Sequence, residues 1–306
     1  MSTATVIKAI VTGREVDSLD GFVRKYFVNP TWHDRWRLYD AFFANGCDLL
    51  LHAPQSKETF IVDARDNNMA RSMFVAGGYQ FEHIVEVLDR LKEDRPDRTP
   101  PRTLLDIGAN MGVISIPAVA RGLFDRAIAI EPTPSVCRLL RANVALNGLE
   151  DNIRVIQTAL SDRAGVAEFE LSSDNTGDNR ISVVSDKNAY GEHSRAKIEV
   201  PLTRFDDLSL DVDLSSSLAW IDVQGYEGFV LAGAQRLTAV RTPLVIEFWP
   251  YGLERAGSYS KLVEALAVYE RFAILGKPAG WHPISHLSNV YKMLEHTTQH
   301  LDLLVV

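Results

Sequence analysis

Gly108 and Gly112 bracket Ala109, Asn110 and Met111, and Glu131 closes the apolar run AIAIE further along the chain. Glycines at such a turn let main chain approach a ligand closely. An acid ending the next strand, about 20 residues on, is where nucleotide-binding α/β folds bridge a ribose diol. The turn lacks the rest of a dinucleotide fingerprint, because Asn110 and Val113 stand where G-x-G-x-x-G needs glycines. No G-x-x-x-x-G-K-[ST] phosphate loop occurs in the chain. A cofactor with a ribose and no phosphate fits better, and S-adenosylmethionine is such a molecule. In that reading Asp106 meets the methionine ammonium, directly or through water. Gly108 and Ala109 pass under the amino-acid tail, with Asn110 and Gly112 in the same turn, and Glu131 holds the ribose hydroxyls. Pro132, Ala159, Leu160 and Asp222 are counted with these contacts. The plain alternatives are a strand-to-helix turn for the glycines and a solvated strand end for Glu131.

These residues need a sheet to hold them. From Thr103 onward strands and helices alternate, the pattern of a mostly parallel sheet covered on both faces. The strands expected are 103–108, 127–131, 153–160, LAWID ending at Asp222, PLVIEFWP carrying Glu247 and Trp249, and the closing HLDLLVV. Val136, Leu139, Leu140 and Val144 stripe a helix that Asn147-Gly148 should stop. Phe229, Val230, Ala234, Leu237 and Val240 stripe another, and Ser258 can cap a helix through Phe272. GVAEFEL and KIEVPLTRFDDL interrupt the alternation as an antiparallel pair. The polar stretch 172–196 between them is long for a connection, which suggests a lid or binding loop that is mobile without acceptor.

Upstream, KEDRPDRTPPR (92–102) breaks all periodicity and predicts a boundary, with an α+β extension at 1–100 and the catalytic domain at 101–306. Phe81, Ile84, Val85, Leu88 and Leu91 mark an amphipathic helix before it. DLLLHAP and ETFIVDAR suggest short strands around a turn at Pro54. The first 50 residues carry Phe22, Tyr26, Phe27 and Phe42, and Trp32, Trp36, Tyr39 and Phe43 fall on one helical face. That face either packs on the next domain or forms an aromatic wall for a sugar-like or oligomer contact.

Of 306 residues 46% are hydrophobic, enough for a substantial core, and the formal charge of −8 disfavours nucleic acid or an anionic membrane as partner. No apolar run is long enough to span a membrane, and the N-terminus shows no signal-peptide pattern. Cys47 and Cys137 stand far apart in no motif, which reads as a reduced, cytoplasmic enzyme.

From Leu104 to Trp249 the chain resembles the FkbM-type methyltransferases, a branch of the class I S-adenosylmethionine-dependent enzymes. The blocks that carry this are LLDIGANMGVISI, IAIEPTPSVCRLLRANVALNGL, VIQTALSDRAGVAEFEL, TRFDDL, WIDVQGYEGFVLAGAQRL and LVIEF, in that order. Gln224 stands where the family commonly has Glu in D-V-E-G. The resemblance implies an α/β fold, a Rossmann-like doubly wound, mostly parallel sheet of the class I methyltransferase type, here with the α+β extension. It also implies methyl transfer to a hydroxyl of a sugar, glycolipid, polysaccharide or natural product. A hydroxyl is a poor nucleophile at neutral pH, so a base or a metal should assist it. Asp222 is the first choice as base or base-orienting group, its plain alternative being an acid that bonds the turn or the cofactor amine. Glu247 is second, and Glu227 reads more simply as an acid at a helix N-terminus.

His193 is a third catalytic candidate because it lies in the long polar loop, with Asn179 and Arg180 there as acceptor contacts beside Gln224 and Trp249. His83, His282 and His286 are scattered and weaker. Magnesium is compatible with Asp222, Gln224 and Glu247 but not demanded, and zinc lacks any ligand motif. The oligomeric state is left open. Competing readings are a nucleotide-binding oxidoreductase, a non-catalytic protein that keeps the fold, and a nucleic-acid methyltransferase, which lacks its usual N-P-P-[YF] loop.

Overall fold

The computed structural model describes residues 30–44, 50–52, 58–278 and 280–306. Phe22, Tyr26, Phe27, Cys47 and Pro54, and the side chains of Phe42 and Phe43, lie outside the described residues. The chain divides into two compact units, one reaching Tyr79 and including Ser173–Gly177, the other formed by Gln80–Ser172 and Asp178–Val306.

The first unit holds α1 (Trp32–Ala44), β1 (Leu50–His52), β2 (Ile61–Asp63) and α2 (Met69–Ala76). β1 and β2 pair antiparallel, as the sequence suggests. The aromatic stripe of α1 divides: Tyr39 is buried against Phe74, while Trp32 is 52% exposed and Arg71 stacks over Trp36. Both the Thr176 amide and its hydroxyl donate to Asp66, fixing 173–177 in this unit.

The second unit begins with α3 (Phe81–Asp94), β3 (Thr103–Ile107), α4 (Ser115–Ala120), β4 (Arg126–Ile130), α5 (Pro134–Leu146), β5 (Ile153–Ile156), β6 (Ala159–Leu160) and β7 (Gly165–Leu171). Then come β8 (Arg180–Ile181), β9 (Ala196–Thr203), β10 (Ser217–Ile221), α6 (Glu227–Ala232), α7 (Gln235–Ala239) and β11 (Leu244–Phe248). α8 (Pro250–Ala256), α9 (Tyr259–Leu266), β12 (Arg271–Ile274), β13 (His282–Pro283), α10 (Leu287–Leu294) and β14 (Leu301–Val305) complete it. This compact unit starts at Gln80, before α3. Arg90 of α3 donates to the Lys277 carbonyl over 2.9 Å, Glu86 accepts from the Gly276 amide, and Asp94 pairs with Arg271. Prolines and charges end the helix there without ending its contacts.

Among the described residues the main sheet has eight strands in the order β13-β12-β14-β11-β10-β3-β4-β5. β5, β4, β3, β10 and β11 run parallel, and β14 lies antiparallel between β11 and β12. Every residue of β3, β10 and β11 is buried, which is why these strands read as apolar runs rather than alternating ones. The chain winds outward from β3 through β4 to β5, then returns to place β10 on the other side of β3. Ligands of open α/β sheets bind beyond the carboxyl ends of the strands at such a switch point.

Among the described residues a smaller sheet, β6-β9-β7-β8, holds the antiparallel pair β7 and β9 expected from the sequence. The segment 153–160, read as one strand, splits: β5 stays in the main sheet, while β6 pairs with β9. The stripe 229–240 is two short helices, α6 and α7, separated by Gly233 and Ala234. Ser258 does not cap through its side chain; its hydroxyl donates to the Gly225 carbonyl over 2.6 Å, and 271–274 is the strand β12. Among the described residues no helix is long and apolar enough to cross a membrane.

The polar stretch 178–196 is tied down rather than loose. Arg180 Nη2 lies 3.3 Å from both Asp178 and Glu192, Arg195 pairs with Asp178, and Arg255 of α8 reaches Glu170 over 2.6 Å. Tyr251 donates to Glu192 over 2.7 Å. Charges of both signs pair in a buried cluster, and polarity alone could not distinguish that from a solvated loop.

Candidate active site

The glycine turn after β3 is as tight as its spacing suggests. Gly108 has φ +94°, and a Cβ there would stand 1.9 Å from the Asp222 carbonyl oxygen, so no side chain fits. The amides of Gly108 and Ala109 both donate to the Ile130 carbonyl, while Asp222 N donates to the Ile107 carbonyl. Three strand ends, of β4, β3 and β10, are thus bound together at one point. Glu131 is buried there, accepting from the Asn110 amide at 3.1 Å and the Thr133 amide at 2.7 Å. Asp106, also buried, accepts from the amide and hydroxyl of Ser115 and so fixes the start of α4.

Burial holds the carboxyls of Asp106 and Glu131 up at about 7, and for Asp106 the nearby Asp222 and Glu131 push the same way. Acids gathered around a glycine turn repel a pyrophosphate and favour a ligand that brings positive charge and hydroxyls. The residues present therefore fit a sulfonium cofactor with an ammonium and a ribose. Pro132 lies directly between Glu131 and Thr133, whereas Ala159 and Leu160 are core residues of the small sheet's β6.

The reacting end lies at β10 and β11. After Asp222 the chain turns through Gln224 at φ +56° and Gly225 at φ +93°. Glu227 holds that turn by accepting from the amides of Val223 and Gly225, each at 3.1 Å. This bears out the plain reading of Glu227 as an acid at a helix start; burial pushes its carboxyl up to about 8. Gln224 Nε2 donates to Asp222 Oδ1 over 2.7 Å and to Glu247 Oε2 over 2.9 Å, bridging the two carboxylates. Asp222, partly exposed, is raised to about 6 by desolvation and by Asp302. Glu247 is raised well above the usual carboxylate range by burial, then by Asp222, Glu227 and Asp302. Asp222, Gln224 and Glu247 do gather, but around an amide donor that occupies oxygens a cation would need. Among the described residues no group of three or more His, Cys, Asp or Glu is placed to hold a metal.

The other sequence candidates make contacts of their own. His193 Nε2 bonds the Ser185 carbonyl at 3.2 Å within its own loop. Asn179 accepts from the Ser172 amide at 2.8 Å, and Arg180 belongs to the buried ion cluster. Trp249 turns its indole N–H to the Thr298 carbonyl and stacks among Tyr190, Tyr251 and Arg180. His83 pairs with Asp302 at 3.2 Å. The sequence reading missed His300, whose Nε2 is 3.9 Å from Glu247 Oε1. No local signal marks it: β14 runs antiparallel to β11, and this brings its first residues, not its last, to the ligand edge.

A parallel sheet with a glycine turn after β3, an acid ending β4, and an antiparallel β14 beside β11 defines the class I methyltransferase architecture. Residues 106–270, more than half the chain, match the methyltransferase FkbM domain, and the chain belongs to that family. It is 31% identical over 153 residues to the 2-O-methyltransferase NoeI of Sinorhizobium fredii, covering 46% of this chain and 61% of NoeI. It is 28% identical to the ribosomal protein L11 methyltransferase of Pelobacter propionicus, over 49% of this chain and 41% of that protein. With the methyltransferase sdnD of Sordaria araneosa it shares 26% identity over 59% of this chain and 77% of sdnD. The chain thus spans less than two thirds of the length of NoeI and of the L11 enzyme.

Proposed function

We propose that this protein is an S-adenosylmethionine-dependent O-methyltransferase acting on a hydroxyl of a sugar, glycolipid, polysaccharide or natural product. The observation that carries the reading is the clustering of Asp106, Glu131 and Asp222 about the Gly108 turn, which suits a cationic, phosphate-free cofactor. Membership of the FkbM family and the 2-O-methyl activity in the name of NoeI support oxygen as the acceptor atom. The bound cofactor supplies an activated methyl group on a sulfonium.

The chain's own residues hold and orient. The turn 108–112 would lie under the amino-acid tail, Glu131 would accept from the ribose hydroxyls, and Asp222 would face the acceptor as base or base-orienting group. Gln224 keeps Asp222 and Glu247 at one fixed separation, and the Glu227 contacts hold the backbone that carries both Asp222 and Gln224. Near-attack geometry is the first requirement of an in-line displacement, and this bracing serves it.

Calorimetric titration with S-adenosylhomocysteine and with NADH tests the cofactor, and tighter binding of NADH would discard the reading. Incubation with labelled methyl donor and a panel of hydroxylated glycans tests the acceptor class. Label transfer only to a protein amine would move the assignment toward the chemistry named for the L11 relative.

A further inference from the structure

Methyl transfer to a hydroxyl leaves one proton over. The O–C bond replaces O–H, the C–S electron pair stays on sulfur, and the hydroxyl proton must leave a site lined by buried acids. Asp222 is partly exposed, and its side chain shares a hydrogen bond with Glu247. Glu247 itself is buried, its side chain 8% exposed, whereas the His300 side chain beside it is 53% exposed. His300 Nε2 lies 3.9 Å from Glu247 Oε1, the oxygen that Gln224 leaves open. This placement follows from the topology. Phe248 of β11 pairs with Leu301, the first residue of β14, so His300 is delivered to the carboxyl edge of β11.

Resting on the methyl-transfer reading above, we propose that His300, acting through Glu247, is the outlet for the acceptor's proton. Asp222 takes the hydroxyl proton and passes it to the hydrogen-bonded Glu247, Glu247 passes a proton on to His300 Nε2, and the exposed imidazole releases it to solvent. One proton enters and one leaves, with no other reactant. The charged groups that face this path are Asp222 at the end of β10, Glu227 at the start of α6, Glu247 on β11 and Asp302 on β14, the last paired with His83 of α3. Imidazole is the side chain suited to pass protons to water near neutrality. A 3.9 Å separation is looser than a formed hydrogen bond, as catalytic contacts often are without ligand. His300 is therefore a relay and positioning residue, not one that touches the acceptor.

The test has an arm that needs no acceptor. In the full chain, the His300 imidazole resonances are compared by NMR at one pH in wild type and in Glu247→Gln. Contact with Glu247 predicts changed chemical shifts in the variant, and unchanged resonances overturn the pairing. The second arm uses whichever hydroxyl acceptor of the glycan panel wild type methylates. His300→Ala should then lose about 100-fold in turnover, keep its affinity for S-adenosylhomocysteine, and regain part of the loss with added imidazole. Wild-type turnover in His300→Ala, or a loss that imidazole does not restore, overturns the outlet alone. A wild-type protein inert toward every hydroxyl acceptor overturns the methyl-transfer reading, and the outlet with it.

Discussion

The Asn110 amide donates to Glu131 Oε2 across 3.1 Å, so the glycine turn after β3 and the acid that ends β4 form one braced unit. The Thr133 amide holds the other oxygen at 2.7 Å, which aims the carboxylate and leaves only its remaining lone pairs for a ligand. Glu131→Ala should remove charge-assisted bonds worth about 1.5–3 kcal/mol. Calorimetry should show S-adenosylhomocysteine binding weakened by about tenfold or more. Unchanged affinity would take Glu131 out of the cofactor site.

The buried acids also set a pH dependence. Asp106 and Glu131 stand at about 7, Asp222 at about 6 and Glu227 at about 8, while unfolded carboxyls ionise near 4. Between those limits the folded, unliganded protein binds more protons than the unfolded chain, so stability falls as pH rises through the window. His83, raised by Asp302, acts with the same sign. The unliganded Tm should be higher at pH 5.5 than at pH 8. A cationic ligand favours the ionised acids, so S-adenosylmethionine affinity should move the opposite way, rising roughly tenfold per pH unit for each proton displaced. A Tm that climbs toward pH 8 without ligand contradicts the assignment.

What the sequence disclosed, and what it hid, follows from the range of the interactions involved. The Gly108 turn and Glu131 were legible because glycine geometry and buried apolar runs are local signals. The place of Asp222 beside the turn depends on the long-range pairing of β10 with β3. His300 was not legible as part of the site, because nothing near it in the chain tells which end of β14 meets β11. Arg180 and Asn179 looked like polar loop residues open to an acceptor. Their partners, Glu192 and Ser172, show that polarity in a sequence does not separate a solvated charge from a buried, paired one.

That buried ion cluster makes its own prediction. Arg255 is buried, pairs with Glu170 at 2.6 Å and donates to the Ile181 carbonyl at 3.3 Å. Removing one partner of a buried pair strands the other's charge, so Arg255→Met should cost about 3–5 kcal/mol. Replacing Glu170 by Leu in the same chain should restore most of it, because the stranded charge is then gone. Chemical denaturation of the single and double variants measures both. Equal stability of Arg255→Met and wild type would mean that 178–196 is held by other contacts.

The last prediction concerns Asp222, whose main chain and side chain do different work. Its amide donates to the Ile107 carbonyl at the end of β3 and its carbonyl lies against Gly108, and any residue at 222 would keep those contacts. Its carboxylate accepts from Gln224 at 2.7 Å and remains partly exposed at the strand end. Asp222→Asn therefore keeps the backbone junction and most of the side-chain shape while removing the negative charge. General-base assistance is typically worth about 10²–10⁴-fold, so turnover should fall within that range while S-adenosylhomocysteine affinity changes far less. A purely structural acid predicts the reverse pattern, a lowered Tm with turnover close to wild type. Both quantities can be measured on one purified variant. Normal turnover in a folded, cofactor-binding Asp222→Asn protein would transfer the base role to another group, with Glu247 next because Gln224 holds it to the same point.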